Sequence, residues 1–165
     1  MHFKSLIIFL AFSITLAFAG WKQVTPRICV GARNNNFRSI TFRGRSFIIA
    51  MKLTHLSGRI GCRSNSGTNW GCRYGDNRRT LNMIVTDNRN KRIFPSPLLV
   101  QTVRGNWYEM PGYNENSRLL VFALPGYQYM YYGQVFRFWY GEDLSGHTEG
   151  DNHGHTCMKV EVFTK

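Results

Sequence analysis

Alternation of apolar and polar residues constrains this chain more than any other feature. The stretch "RSFIIAMKLTHL", residues 45–56, predicts a strand with Phe47, Ile49, Met51 and Leu53 on one face. "TLNMIVT" sets Leu81, Met83 and Val85 against Asn82, Ile84 and Thr86, and "QVFRFWY" sets Val135, Arg137 and Trp139 against Phe136, Phe138 and Tyr140. Where both faces are apolar, such runs predict strands buried on both sides. Further strands are expected over residues 28–30, 37–42, 119–124 and 158–163, and helical periodicity is hard to find.

Between the runs stand turn signals rich in Gly, Pro, Asn and Asp: "YGDN" (74–77), "TDNRN" (86–90), "MPGYNENS" (110–117) and "LPGY" (124–127). Eight or nine short strands separated in this way, with no helix, predict an all-β, jelly-roll-like antiparallel β-sandwich. A β-barrel is the alternative.

The opening twenty residues hold one lysine, Lys4, then an apolar run, then Ala17-Phe18-Ala19. This is the layout of a secretory signal peptide, cut after Ala19 or Gly20 and leaving residues 21–165 as one secreted domain. The rival reading is a membrane anchor, for which the run is too short. Export makes disulfides the expected state of Cys29, Cys62, Cys72 and Cys157. Four cysteines allow three pairings. The spacing favours Cys62 with Cys72 across a short polar loop and Cys29 with Cys157 between the terminal strands. No Asn-X-Ser/Thr sequon is present, so no N-glycan is expected.

Charge is unevenly distributed. Residues 20–104 carry sixteen Lys and Arg against two acids, and residues 105–165 carry four against seven. The asymmetry predicts a bipolar molecule whose basic part meets an anionic partner. The arginine-rich candidates are Arg33, Arg38, Arg43 and Arg45 in "GARNNNFRSITFRGR", then Arg73, Arg78, Arg79, Arg89, Lys91 and Arg92 in two turns. The planar guanidinium fork suits sulfate, phosphate and carboxylate. Outside the cell these groups belong to anionic glycans, matrix components and cell surfaces, whereas intracellular nucleic acid is not an expected partner.

The segments "CVGARNNNFRSITF", "KLTHLSGRIGC", "WYEMPGYNENSRLLVF" and "GQVFRFWYGEDLSGHTEGDNHGHTCMKVEVF" together resemble a family of secreted cnidarian extracellular proteins, some associated with the skeletal organic matrix. The resemblance runs from about Cys29 to Phe163. It implies that any family role rests on Glu142, Asp143, Glu149, Asp151 and Asn152, while the histidines at 147, 153 and 155 belong to this chain alone.

Those five residues supply hard oxygen ligands on a glycine-bearing segment, so Ca²⁺ is the cofactor they would hold, although the spacing is not that of an EF-hand. The competing reading is a polar loop of side-chain turns and ion pairs. His147, Glu149, Asp151, His153 and His155 alternate, and in an extended chain they would share one face able to hold Zn²⁺ or Cu²⁺; the glycines at 146, 150 and 154 argue against that strand. Glu142 with Glu149, or His55 with a tail histidine, are the only acid/base pairs on offer, and no nucleophile-elbow or zinc-protease motif accompanies them. The tyrosines of "YQYMYY", 127–132, are the aromatic residues most expected at the surface.

The sequence therefore predicts a secreted, non-enzymatic, matrix or lectin-like protein. Its partners would be anionic or carbohydrate, met through a basic face and a calcium-supported acidic loop. The alternative is a cationic host-defence or venom-type protein acting on anionic membranes.

Overall fold

The computed structural model describes residues 19–72 and 80–165. Most of the expected signal peptide, the "YGDN" turn and the candidates Arg73, Arg78 and Arg79 lie outside the described residues. The strands are β1 (Gly20–Gly31), β2 (Arg38–Thr41), β3 (Ser46–Gly61), β4 (Met83–Thr86), β5 (Arg92–Phe94), β6 (Leu119–Met130), β7 (Val135–Tyr140) and β8 (His153–Thr164). They form two four-stranded antiparallel sheets ordered β1-β8-β3-β6 and β2-β7-β4-β5. This is the strand order of a jelly-roll sandwich, and no closed barrel is formed.

Strand β8 shows why the first sheet forms. Met158, Val160, Val162 and Thr164 are buried, while Lys159, Glu161 and Phe163 alternate on the outer face. Glu161 there accepts ion pairs from Lys52 and Lys159, each at 3.0 Å. The inner residues meet Met83, Val85, Phe136 and Phe138 of the second sheet in one apolar cluster, and Phe94 stacks on Phe122 at 5.9 Å between the sheets. Each of these large side chains contributes about 1.5–3 kcal/mol through burial. As expected, β4 is buried on both faces. The far side of the second sheet is covered at Trp139 by Phe37, stacked at 4.1 Å, with the Arg137 guanidinium over the Phe37 ring.

Three expectations require correction. The register of β3 shifts between Ile48 and Ala50, so Ile48 is fully buried and Phe47 points to solvent; Met51 and Leu53 face inward as expected. One extra residue in a strand moves the preceding side chains to the opposite face. The same irregularity explains "LPGY", which is no reversal. Ile48 pairs with Gln128 and Ala50 with Ala123, so residues 124–127 bulge out of β6 opposite Ile49. Pro125 is tolerated because β6 is an edge strand. The predicted absence of helix is also modified, since "GEDLS" forms a five-residue helix α1 (Gly141–Ser145).

The structure pairs Cys29 with Cys157 and Cys62 with Cys72. Cys29 and Cys157 are register partners on β1 and β8. No helix among the described residues is long and apolar enough to cross a membrane.

Candidate functional site

Helix α1 leaves the end of β7 and is followed by a single 3-10 turn, Glu149–Asp151, before β8 begins. These segments pack against the loop after β1 and against a second 3-10 turn, Arg104–Asn106, making a corner at one end of the sandwich. The corner is built from asparagines. Asn82 donates to the Gly105 carbonyl at 2.9 Å and accepts from the Glu142 backbone N–H at 3.0 Å, while Asn106 donates to the Gly141 carbonyl at 2.8 Å.

The "NNN" of residues 34–36 has the most specific task. Asn34 and Asn35 adopt left-handed backbone with φ of 64° and 54°, a conformation asparagine accepts more readily than most residues. Three successive backbone N–H groups then face carboxylates. Asn34 donates to Glu149 Oε2 at 3.2 Å, Asn35 to Asp143 Oδ1 at 2.7 Å, and Asn36 to Asp143 Oδ2 at 2.9 Å. Such a concave run of N–H groups is an anion nest, occupied here by the protein's own side chains.

Burial pushes the Asp143 carboxyl up to about 6, with the neighbouring Glu149 carboxylate adding to the rise and the Asn35 and Asn36 N–H groups opposing it. Burial likewise raises Glu142, opposed by hydrogen bonds and by the nearby His147. Glu142 Oε1 accepts from Trp107 Nε1 at 2.9 Å and from Thr148 Oγ1 at 3.2 Å, whereas its buried Oε2 has no hydrogen-bond partner. Asn152, fully buried, donates to the Ala32 carbonyl at 3.0 Å and leaves its own Oδ1 unpartnered.

The five expected calcium ligands thus fall into distinct roles. Asp143 is committed to backbone N–H groups; Glu142 and Asn152 are buried, each with one orphan oxygen; Glu149 is half-buried and Asp151 exposed at the rim. Among the described residues no group of three His, Cys, Asp or Glu side chains stands placed to hold a metal ion. The alternating histidines do not share one strand, because the 3-10 turn separates His147 from the strand that carries His153 and His155. His147 lies against Gly105, and His153 lies over Gly61 with its buried Nδ1 unpartnered.

The arginines do not form one face. Arg33 joins the carboxylate corner, donating to the Gly150 carbonyl at 3.1 Å, and Arg38 opens β2. Arg43 and Arg45 line a groove of about 310 Å³ with Lys22 at the other end of the sandwich. That end also carries Arg89 and Lys91 in the β4–β5 turn and Arg92 at the start of β5. Sequence reasoning missed Asn34, Asn35, Asn82 and Thr148. An unbroken asparagine triplet before a strand was the available signal for the first two.

No protein-family model matches the chain, and no curated protein does. Among solved structures it is similar to AJLec from the sea anemone Anthopleura japonica, with 32% sequence identity and a TM-score of 0.81. The match covers 88% of this chain and 98% of that one. The chain belongs to the family of AJLec.

Proposed function

We propose that this is a secreted, non-enzymatic, lectin-like protein of the extracellular matrix that binds carbohydrate at its carboxylate corner, with Ca²⁺ supporting the rim. The likeness to AJLec along nearly the whole chain is the observation that carries the reading. The rim has the chemistry for sugar hydroxyls: the exposed Asp151, the half-buried Glu149 and His147, the exposed Arg33 and the half-buried Trp107 ring lie around one corner. Carboxylate acceptors beside cationic donors and an aromatic face supply both the hydrogen bonds and the apolar surface a sugar ring needs.

The corner suits a hard cation in one respect. Glu142 Oε2 and Asn152 Oδ1 are buried oxygens with no hydrogen bond of good geometry, although the Asn152 side chain lies close enough to hold the Glu142 carboxyl down. Such groups are costly unless a proton, water or cation satisfies them. Glu142 and Asn152 are the side chains whose free oxygens would hold the ion, with carbonyls, water and sugar hydroxyls completing the six to eight oxygens Ca²⁺ takes. When bound, the ion would supply positive charge against sugar hydroxyl oxygens.

A glycan array run with calcium and with chelator tests this reading. The expected result is binding to particular neutral sugars that chelation removes and that Glu149→Gln with Asp151→Asn weakens at least tenfold. Binding untouched by both changes, or none to any neutral glycan, would remove the corner as the site.

A further inference from the structure

At the end opposite the carboxylate corner lies a cleft of about 590 Å³, roofed by the β4–β5 turn and bordered by the bulge of β6 and the β6–β7 turn. Arg89, Lys91, Arg92, Leu98, Gln128 and Tyr131 are among its lining residues. One carboxylate, Asp87, also borders it, but Asp87 Oδ1 is taken up by the backbone N–H groups of Arg89 and Lys91, at 2.8 and 2.9 Å. Among the described residues none of the three cations is in an ion pair, in contrast to Lys52 and Lys159, which share Glu161. Three cations therefore meet one acid whose side chain is busy shaping the turn.

The turn is preorganised. Asp87 and Lys91 close it through a backbone hydrogen bond of 2.9 Å, Asn90 takes left-handed φ of 62°, and the Arg137 guanidinium donates to Asn90 Oδ1 at 2.9 Å. The Arg92 guanidinium is itself tied to Thr102 Oγ1. Cations presented by a braced turn lose less freedom on binding than cations on a loose loop. At the rim, Leu98 is 79% and Tyr131 56% exposed, which gives apolar surface to an otherwise charged opening.

A volume in the range of small-ligand sites, guanidinium forks that form no ion pair among the described residues, an amide and an exposed ring together match a charged saccharide better than a bare ion or an apolar guest. We propose that this cleft is a second binding site, independent of calcium and of the carboxylate corner, that takes a sulfated saccharide. The six residues of β7 separate the two ends by roughly 20 Å, so a neutral and a sulfated glycan can be held at once.

The test is calorimetric titration of the secreted protein, with chelator throughout, using a heparin-derived hexasaccharide and an oligogalacturonate of equal length. The hexasaccharide is expected to bind, at least tenfold more tightly than the uronate. Arg89→Glu with Lys91→Glu should weaken it at least tenfold, and Tyr131→Ala about threefold. Arg27→Glu with Arg118→Glu, which changes net charge equally at exposed positions elsewhere, should cost less than threefold. All variants should keep the wild-type melt, since the turn is held by backbone groups and Asp87. Equal loss in both double variants would reduce the effect to bulk charge, and absent binding, or equal affinity for the uronate, would overturn the proposal. Because chelator is present in every arm, none of these results bears on the neutral-sugar reading of the corner.

Discussion

Asp143 is held by two backbone N–H groups and yet binds its proton more tightly than a free aspartate, because burial and the Glu149 carboxylate outweigh the two hydrogen bonds. Its carboxyl ordinarily titrates at 3.8 and here at about 6. Between those values the folded corner keeps a proton that the unfolded chain has released, so this group's contribution to stability is lost as pH rises through that window. Glu149→Gln removes the neighbouring charge. It should flatten the fall in unfolding free energy between pH 4.5 and 7, read by urea denaturation of variant and wild type. An unchanged slope would mean that burial alone sets the shift. The acids of the corner could be found in the sequence because their types and spacing are unusual. Their partners could not, since the Asn35 and Asn36 N–H groups lie more than a hundred residues away and backbone groups carry no sequence signature.

Among the elements, β8 depends on a glycine at its second residue. Gly154 has φ of 78°, and a Cβ there would stand 2.1 Å from the Arg59 carbonyl oxygen of β3. Both the backbone conformation and the close approach exclude a side chain. Gly154→Ala should therefore destabilise the fold by more than about 2 kcal/mol, measured by denaturant unfolding, whereas Gly150→Ala, with open space around it, should change little. Strand existence was legible from period-2 runs such as β4 and β7. The faces of β3 were not, because the bulge opposite residues 124–127 depends on pairing with β6, and alternation alone assumes an unbroken register. The reading of "LPGY" as a reversal failed for the same reason: Pro and Gly mark a departure from the ladder, and only the partner strand decides whether it is a turn or a bulge.

For the whole molecule, the two disulfides constrain chain segments of very different length, 128 residues for Cys29–Cys157 and 10 for Cys62–Cys72. By loop-closure entropy the long bridge contributes about 5 kcal/mol and the short one about 3. Replacing Cys29 and Cys157 by alanine should lower the denaturation midpoint more than replacing Cys62 and Cys72; the reverse order would point to native-state contacts around the short loop as the larger effect. The charge asymmetry of the sequence survives folding as a polarity along the sandwich: the carboxylate corner lies at one end, and Arg43, Arg45, Arg89, Lys91 and Arg92 at the other. A single basic face was expected. The chain instead sends Arg33 and Arg38 to the acidic end, because β1 and β2 are joined there.

Gly20 and Thr164 are register partners, the first and last residues of β1 and β8. From Gly20 to Thr164 the backbone is therefore nearly a ring, interrupted at one rung of a ladder, and the position of the break matters little to the architecture. A few residues linking Lys165 to Gly20 would close the ring, and cutting it instead at the exposed Pro111–Gly112 step would give a permuted chain with the same eight strands, the same sheets and both of its polar ends intact.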